Sequence, residues 1–231
     1  MIYFLKSTAR WSVLKKDCPE QESGRRLRRC CLIFRDSAFW IWAAVMAGTV
    51  SMPWNTVGVD ISGKMLEVAR EKTEDSRVRY VECAMEDIDF PDESFDVVLS
   101  SLAFHYVESF SQVVDKVRDS LAPGGYFVFS VEHPVFTAYG SQDWYYDENG
   151  NILHFPVDYY YEGKRKAVFL GEEVVKYHRT LTTYLNTLLT HGFELSQVVE
   201  PQPPESMLHI PGMLDEMRRP MMLIVSARKR S

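Results

Sequence analysis

The feature that most constrains this chain is an alternation that begins at Val57 and continues almost to the end. Short apolar runs are each followed by a segment with helical apolar spacing. VGVD (57–60) reads as a strand ending in an acid, and Ser62 caps a predicted helix in which Met65, Val68 and Ala69 share one face. VRYVEC (78–83) is a second strand. FDVVLSS (95–101) is a third, nearly all apolar, as parallel strands covered on both faces are. Val113, Val114, Val117 and Leu121 mark a helix stopped by APGG (122–125), and YFVFSV (126–131) is the fourth strand. This spacing predicts an α/β fold on a parallel, doubly wound sheet.

Beyond Pro134 the alternation is interrupted by about 45 residues dense in aromatics, among them Phe136, Tyr139, Trp144, Tyr145 and Tyr146. Tyr159, Tyr160 and Tyr161 cannot all face one way on a strand, so at least one lies outside. The pattern then resumes with a helix, TLTTYLNTLLTHGF (180–193), closed by Gly192, and strands ELSQVVE (194–200) and MMLIVSARK (221–229), joined by a Pro-rich connection. The expected organisation is an atypical head, 1–56, and one domain, 57–231, carrying an insertion at about 135–178.

Charge separates the head from the rest. The net charge is −6, yet residues 1–35 hold nine Lys/Arg and three Asp/Glu. No overall basic field recruits nucleic acid or anionic lipid, so a small neutral or cationic substrate is the expected partner. The basic runs at 25–29 and 228–230 read as solvated ends. Cys18, Cys30 and Cys31 show no C-x-x-C spacing, which argues against a disulfide framework or a metal site and for a reducing, cytoplasmic setting. The longest apolar run, 38–50, has 13 residues, short of the roughly 20 that span a bilayer. Neither a membrane span nor an export signal is expected.

Three blocks, VGVDISGKMLEVARE, FPDESFDVVLSSLAFHYVE and LAPGGYFVFSVEHP, together resemble the class I S-adenosylmethionine (SAM)-dependent methyltransferases of the small-molecule type. The resemblance covers about residues 57–229. It implies a Rossmann-like sheet, mostly parallel with an antiparallel last strand, SAM as cofactor and methyl transfer to a small acceptor. An acid ending a strand at the carboxyl edge of such a sheet can bind two ribose hydroxyls, and Asp60 is that acid; its alternative role is a helix cap beside Ser62. The resemblance further implies that Ile61 borders the adenosine and that the Met85 backbone holds the adenine edge. Ala84 stands where many relatives have an acid; Glu86 is a candidate substitute, with a solvated loop carboxylate as its alternative role. Ser100, Ser101 and Leu102 would border the methionine part of SAM.

Acceptor-side candidates follow at the same edge. His105 and His133 are candidate general bases, each with a structural alternative; Tyr106, Trp144 and His178 are candidate substrate contacts, with a solvated or cap-region role as the alternative for His178. The aromatic insertion reads as a substrate lid that excludes water, or else as ordinary core under a long loop. Met207, Met213, Met217, Met221 and Met222 read as packing residues.

One family feature is missing. A Gly-rich loop should follow the first strand, where bare backbone amides approach the cofactor. Here the chain reads DSAFWIWAAVMAGTV (36–50). Read two bases out of phase, Phe39 with Trp40 must give Leu, Trp40 with Ile41 Asp, Trp42 with Ala43 Gly, and Met46 with Ala47 Gly. Permitted choices complete V-L-D-L-G-C-G-Y-G. Met52 with Pro53 then forces Ala, and Trp54 with Asn55 forces Glu. The reading is that roughly residues 25–56, or the whole head, are an out-of-frame translation, with the first strand and Gly-rich loop missing or degraded. Weak SAM binding, marginal stability and an exposed sheet edge would follow. The competing functions are a non-catalytic remnant and, less well supported, a nicotinamide dehydrogenase, which lacks its G-x-G-x-x-G.

Overall fold

The computed structural model describes residues 29–34, 55–74, 76, 78–169 and 171–231. Its centre is a seven-stranded sheet in the order β10-β11-β5-β4-β1-β2-β3. The strands are β1 (Arg29–Phe34), β2 (Asn55–Asp60), β3 (Val78–Glu82), β4 (Phe95–Ser101), β5 (Leu121–Glu132), β10 (Phe193–Val199) and β11 (Met222–Lys229). β11 pairs antiparallel with both β5 and β10, and the pairings from β5 to β3 are parallel. The expected architecture, including the antiparallel last strand, is the one observed.

The first strand corrects an expectation. Arg29–Phe34 fills the slot between β2 and β4, pairing Cys31 with Val57 on one side and with Val98 on the other. The sequence places the run RCCLIF inside the atypical head, 1–56, within the stretch expected to be out of frame. The tertiary frame supplies what local composition hid, since two parallel strands each present a row of backbone groups to be paired. Among the described residues the sheet therefore ends at β3 and β10, not at a gap in its middle. The stretch expected to carry the Gly-rich loop, 36–50, lies outside the described residues, as do the side chains of Cys18, Cys30 and Cys31.

The helix starts follow their sequence signals. Helix α1 (Gly63–Glu71) is capped by Ser62, whose hydroxyl accepts from the Met65 amide at 3.4 Å. Of its expected face only Ala69 is buried; Met65 and Val68 are half-buried, and Leu66 is the other buried residue, three positions before Ala69. Helix α2 (Phe110–Ser120) buries Phe110, Val113, Val114 and Val117. Leu121, expected in that helix, is instead the first residue of β5. Gly125 must be bare there, because a Cβ would lie 2.9 Å from the carbonyl oxygens of Ala122 and Asp96, where the β4–β5 register shifts.

The insertion between β5 and helix α4 (Leu181–Thr190) starts with a four-residue helix, α3 (Pro134–Thr137), and contains two hairpins. These are β6 (Tyr145–Tyr146) with β7 (Ile152–His154), and β8 (Gly163–Phe169) with β9 (Glu172–His178). Of the three tyrosines, Tyr160 and Tyr161 are exposed and Tyr159 is half-buried, outside any strand. The core beneath is aromatic: Phe104, Phe110, Phe127, Phe129 and Tyr184 pack edge-on or tilted around the Phe104 ring. Among the described residues no helix is long and apolar enough to cross a membrane.

Candidate active site

The carboxyl ends of β2, β4 and β5 meet one edge of the sheet. Asp60 ends β2 and is 1% exposed. Its Oδ1 accepts from the Ser62 amide at 2.7 Å, turning the chain into the capped start of α1. The helix cap itself is Ser62, so Asp60 braces the turn before the helix and does not cap it, and a carboxylate has further lone pairs for other partners. Ile61, next in sequence, is 49% exposed, an apolar side chain left at the edge. Met85 is buried in the core cluster, so only its backbone is available to a ligand. The Glu86 carboxylate is on the surface, while the Glu86 carbonyl accepts from Lys116 Nζ at 2.6 Å.

The end of β4 is bent sharply. Leu102 adopts φ 54, a left-handed conformation that costs a β-carbon residue about 1–2 kcal/mol. Its amide donates to the Ser130 carbonyl at 2.8 Å, with the Ser130 hydroxyl 3.2 Å away, which holds the turn in place. The Leu102 side chain enters a cluster with Met207 and Met222, against Met213 and Met221. The packing role expected of the methionines is observed for these four, whereas Met217 is exposed. Ser101 lies beside Ser130, with hydroxyls 3.5 Å apart. Ser100 is 5% exposed, and among the described residues its hydroxyl has no hydrogen-bond partner.

The structure brings the acceptor-side candidates His105, Tyr106 and His133 to the same edge, but the ring nitrogens of the two histidines are already engaged. His105 is buried and its ring packs tilted against that of Tyr106, with ring centres 4.4 Å apart. Its Nδ1 accepts from the Glu132 amide at 3.3 Å, and its Nε2 faces Glu132 Oε1 at 3.9 Å. His133 Nδ1 accepts from the Val135 amide at 3.0 Å, capping α3, so Nε2 carries the hydrogen shared with Glu200 at 2.7 Å. Burial pushes the His133 imidazole below its ordinary range, against the pull of Glu200. His178, expected in a solvated or cap-region setting or at the acceptor, is instead fully buried. Its Nε2 donates to the Tyr159 carbonyl at 2.8 Å and its Nδ1 accepts from Thr137 at 2.9 Å, tying the insertion together. Burial again lowers its pKa. In this arrangement the Nδ1 lone pair of each of the three imidazoles is engaged inside the protein. Trp144 is half-buried, and the Arg219 guanidinium lies over its ring, 4.3 Å from the centre.

Sequence reasoning missed the ions that organise this side. Lys176, 2% exposed on β9, donates to both Glu132 oxygens at 2.7 and 2.9 Å and to Gln142 at 3.0 Å. Burial alone would raise the Glu132 carboxyl, but the electrostatic pull of His105 and Lys176 and the hydrogen bonds of Lys176 and Gln142 hold it below its usual range. Arg179 donates to the carbonyls of Phe104, Val107 and Glu108, fixing the loop that carries His105. Two signals were present. Glu132 adjoins His133 in VEHP, and Lys176 precedes His178 by two, on the same face of a strand. A cavity of ≈ 210 Å³ opens nearby, lined by Glu200, Pro201, Glu216, Met217, Arg219 and Met221 among others.

Comparison with known proteins agrees with this architecture. The methyltransferase domain family model matches residues 41–129. The crystal structure of a Listeria monocytogenes protein assigned as a SAM-dependent methyltransferase is 44% identical, covers 96% of each chain and superposes with a TM-score of 0.80. A SAM-dependent methyltransferase from Mesorhizobium loti is 36% identical, covering 97% of this chain and 100% of its own, with a TM-score of 0.79. A demethylmenaquinone methyltransferase from Listeria welshimeri is 35% identical over 88 residues, 36% of this chain and 37% of that protein. The chain belongs to the SAM-dependent methyltransferase family.

Proposed function

We propose that this chain transfers a methyl group from SAM to a small-molecule acceptor, with SAM held along the ends of β2 and β4. The observation that carries the reading is a buried carboxylate, Asp60, ending β2 on the same sheet edge as the left-handed turn at Leu102. The residues present fit the cofactor: Asp60 takes the ribose hydroxyls, Ile61 covers the adenosine, the Met85 backbone and Glu86 meet the adenine, and Ser100, Ser101 and Leu102 border the methionine part. The orphaned Ser100 hydroxyl is a polar group suited to such a ligand. When bound, SAM supplies an electrophilic methyl carbon, and the bonding pair returns to sulfur on transfer. The chain's own contribution is alignment and exclusion of water, worth about 7–11 kcal/mol where the geometry is good. His105 and His133 serve it by holding the β4 and β5 edges rather than by taking a proton. The insertion at 135–178 is the acceptor-side lid, with Tyr106 and Trp144 on the acceptor side. A demethylmenaquinone methyltransferase among the relatives supports a small organic acceptor.

A second reading rests on the absence of the Gly pattern in 36–50. If the head is an out-of-frame translation, the chain is an impaired or non-catalytic descendant of such an enzyme. Titration calorimetry with SAM on the wild type and Asp60→Ala separates the two. Saturable binding lost in the variant supports the transferase; no binding by the wild type supports the remnant. Sequencing codons 20–60 of the gene tests the frame directly, because the idea fails unless a single frame change restores the Gly-rich loop.

A further inference from the structure

Arg219 lies on the connection between β10 and β11, far in sequence from the insertion, yet it is 7% exposed. Its guanidinium carbon sits 4.2 Å from the centre of the Phe155 ring, 4.3 Å from Trp144 and 4.6 Å from Phe136. The two phenylalanine rings are parallel within 9°. Nε and Nη2 donate to the two oxygens of Glu216 at 2.9 and 3.0 Å, and Nη1 donates to the Gln142 carbonyl at 3.1 Å. Aromatic faces and a bidentate carboxylate together match a planar, forked cation, and an ammonium would satisfy only part of that arrangement.

Gln142 is the other end of the arrangement. It has φ 60, and a non-glycine residue stays in that region only where its surroundings over-determine it. Arg219 holds its main chain. Its side-chain oxygen accepts from Lys176 at 3.0 Å, and its amide donates to Glu132 at 2.8 Å. Glu132 in turn donates its backbone N–H to His105. A continuous set of directional bonds therefore links the β10–β11 connection to the edge where β4 and β5 end.

We propose that Arg219 is a positioning residue that latches the aromatic insertion, and that through Gln142 the latch sets Glu132, His105 and Tyr106 on the acceptor side. The proposal rests on reading the insertion as the acceptor-side lid. Its mark is locality: loss of the latch loosens the insertion and leaves the sheet intact.

The test is hydrogen exchange on the full wild-type chain, Arg219→Ala and Arg219→Lys, with histidine ring NMR and SAM calorimetry on each. In Arg219→Ala, amides in 136–157 are expected to exchange about tenfold faster or more, while those of β4, β5 and β11 keep their protection. The His105 ring resonances shift, and SAM affinity matches the wild type. Arg219→Lys keeps the charge and recovers less than about half of the lost protection, because an ammonium lacks the fork. Unchanged protection in 136–157, a uniform loss across the sheet, an unmoved His105 signal or full recovery with lysine would each overturn the latch. A wild type that binds no SAM but shows the local loosening sinks the cofactor reading and leaves the latch standing. Normal SAM binding without local loosening does the reverse.

Discussion

The two sides of the sheet edge are ordered by different forces. On the side proposed for the cofactor, Asp60, Ile61 and Ser100 are placed by the ends of parallel strands and by short turns, so the backbone ladder does the positioning. On the side proposed for the acceptor, the described residues form a four-residue helix and two hairpins outside the main sheet, and their position depends on buried ions: Lys176 on Glu132, Arg179 on loop carbonyls, Arg219 on Glu216. A segment too irregular to bury a broad apolar face takes its order from charge-assisted hydrogen bonds, which fix direction as well as distance. The cofactor side should therefore tolerate loss of a side chain with its fold intact, and the acceptor side should not.

The largest expected effect tests that contrast. Lys176→Met leaves a buried carboxylate without its cation and should lower stability by about 3–5 kcal/mol in urea unfolding, and Lys176→Met with Glu132→Leu should recover most of it. If the single variant is as stable as the wild type, the acceptor side does not depend on its ions. On the cofactor side, Asp60→Ala should weaken SAM binding by about tenfold to a hundredfold by calorimetry, as expected for lost hydrogen bonds to a charged group. Its unfolding should change by only about 1 kcal/mol, through the lost turn at Ser62.

The next prediction concerns pH. His133 and His178 have folded pKa values below their ordinary 6.5, so the unfolded chain binds protons more readily than the native one. Their contribution is present above about pH 6.5 and is lost as pH falls through the folded values. Glu132, also lowered, adds a second loss that begins below its ordinary 4.5. The urea midpoint should thus decline in two stages on acidification, and His178→Asn should flatten the first. A midpoint independent of pH between 7 and 5 would contradict the buried-imidazole assignment. The smallest effect belongs to the cofactor side: Ser62→Ala removes one helix cap and should cost about 0.5–1 kcal/mol, with SAM affinity nearly unchanged.

The sequence by itself determined the elements with strong local signals. Six strands and three helices from Val57 onward follow from apolar period and caps, and the antiparallel direction of the last strand from the family resemblance. Asp60 was legible because a strand ending in an acid has a local signature. What only the tertiary structure decided is which side chains face each other. RCCLIF becomes an interior strand because two neighbours present backbone groups to be paired on either side of it. The histidines are committed to Glu132, Glu200 and Tyr159, and Lys176 and Arg219 are buried, because partners lie far off in sequence: Glu132 is 44 residues from Lys176, and Gln142 is 77 from Arg219, whose aromatic neighbours belong to another element. Propensity and period are properties of neighbouring residues, whereas burial of a charge depends on which distant groups can compensate it, and that is settled only when the chain has closed on itself.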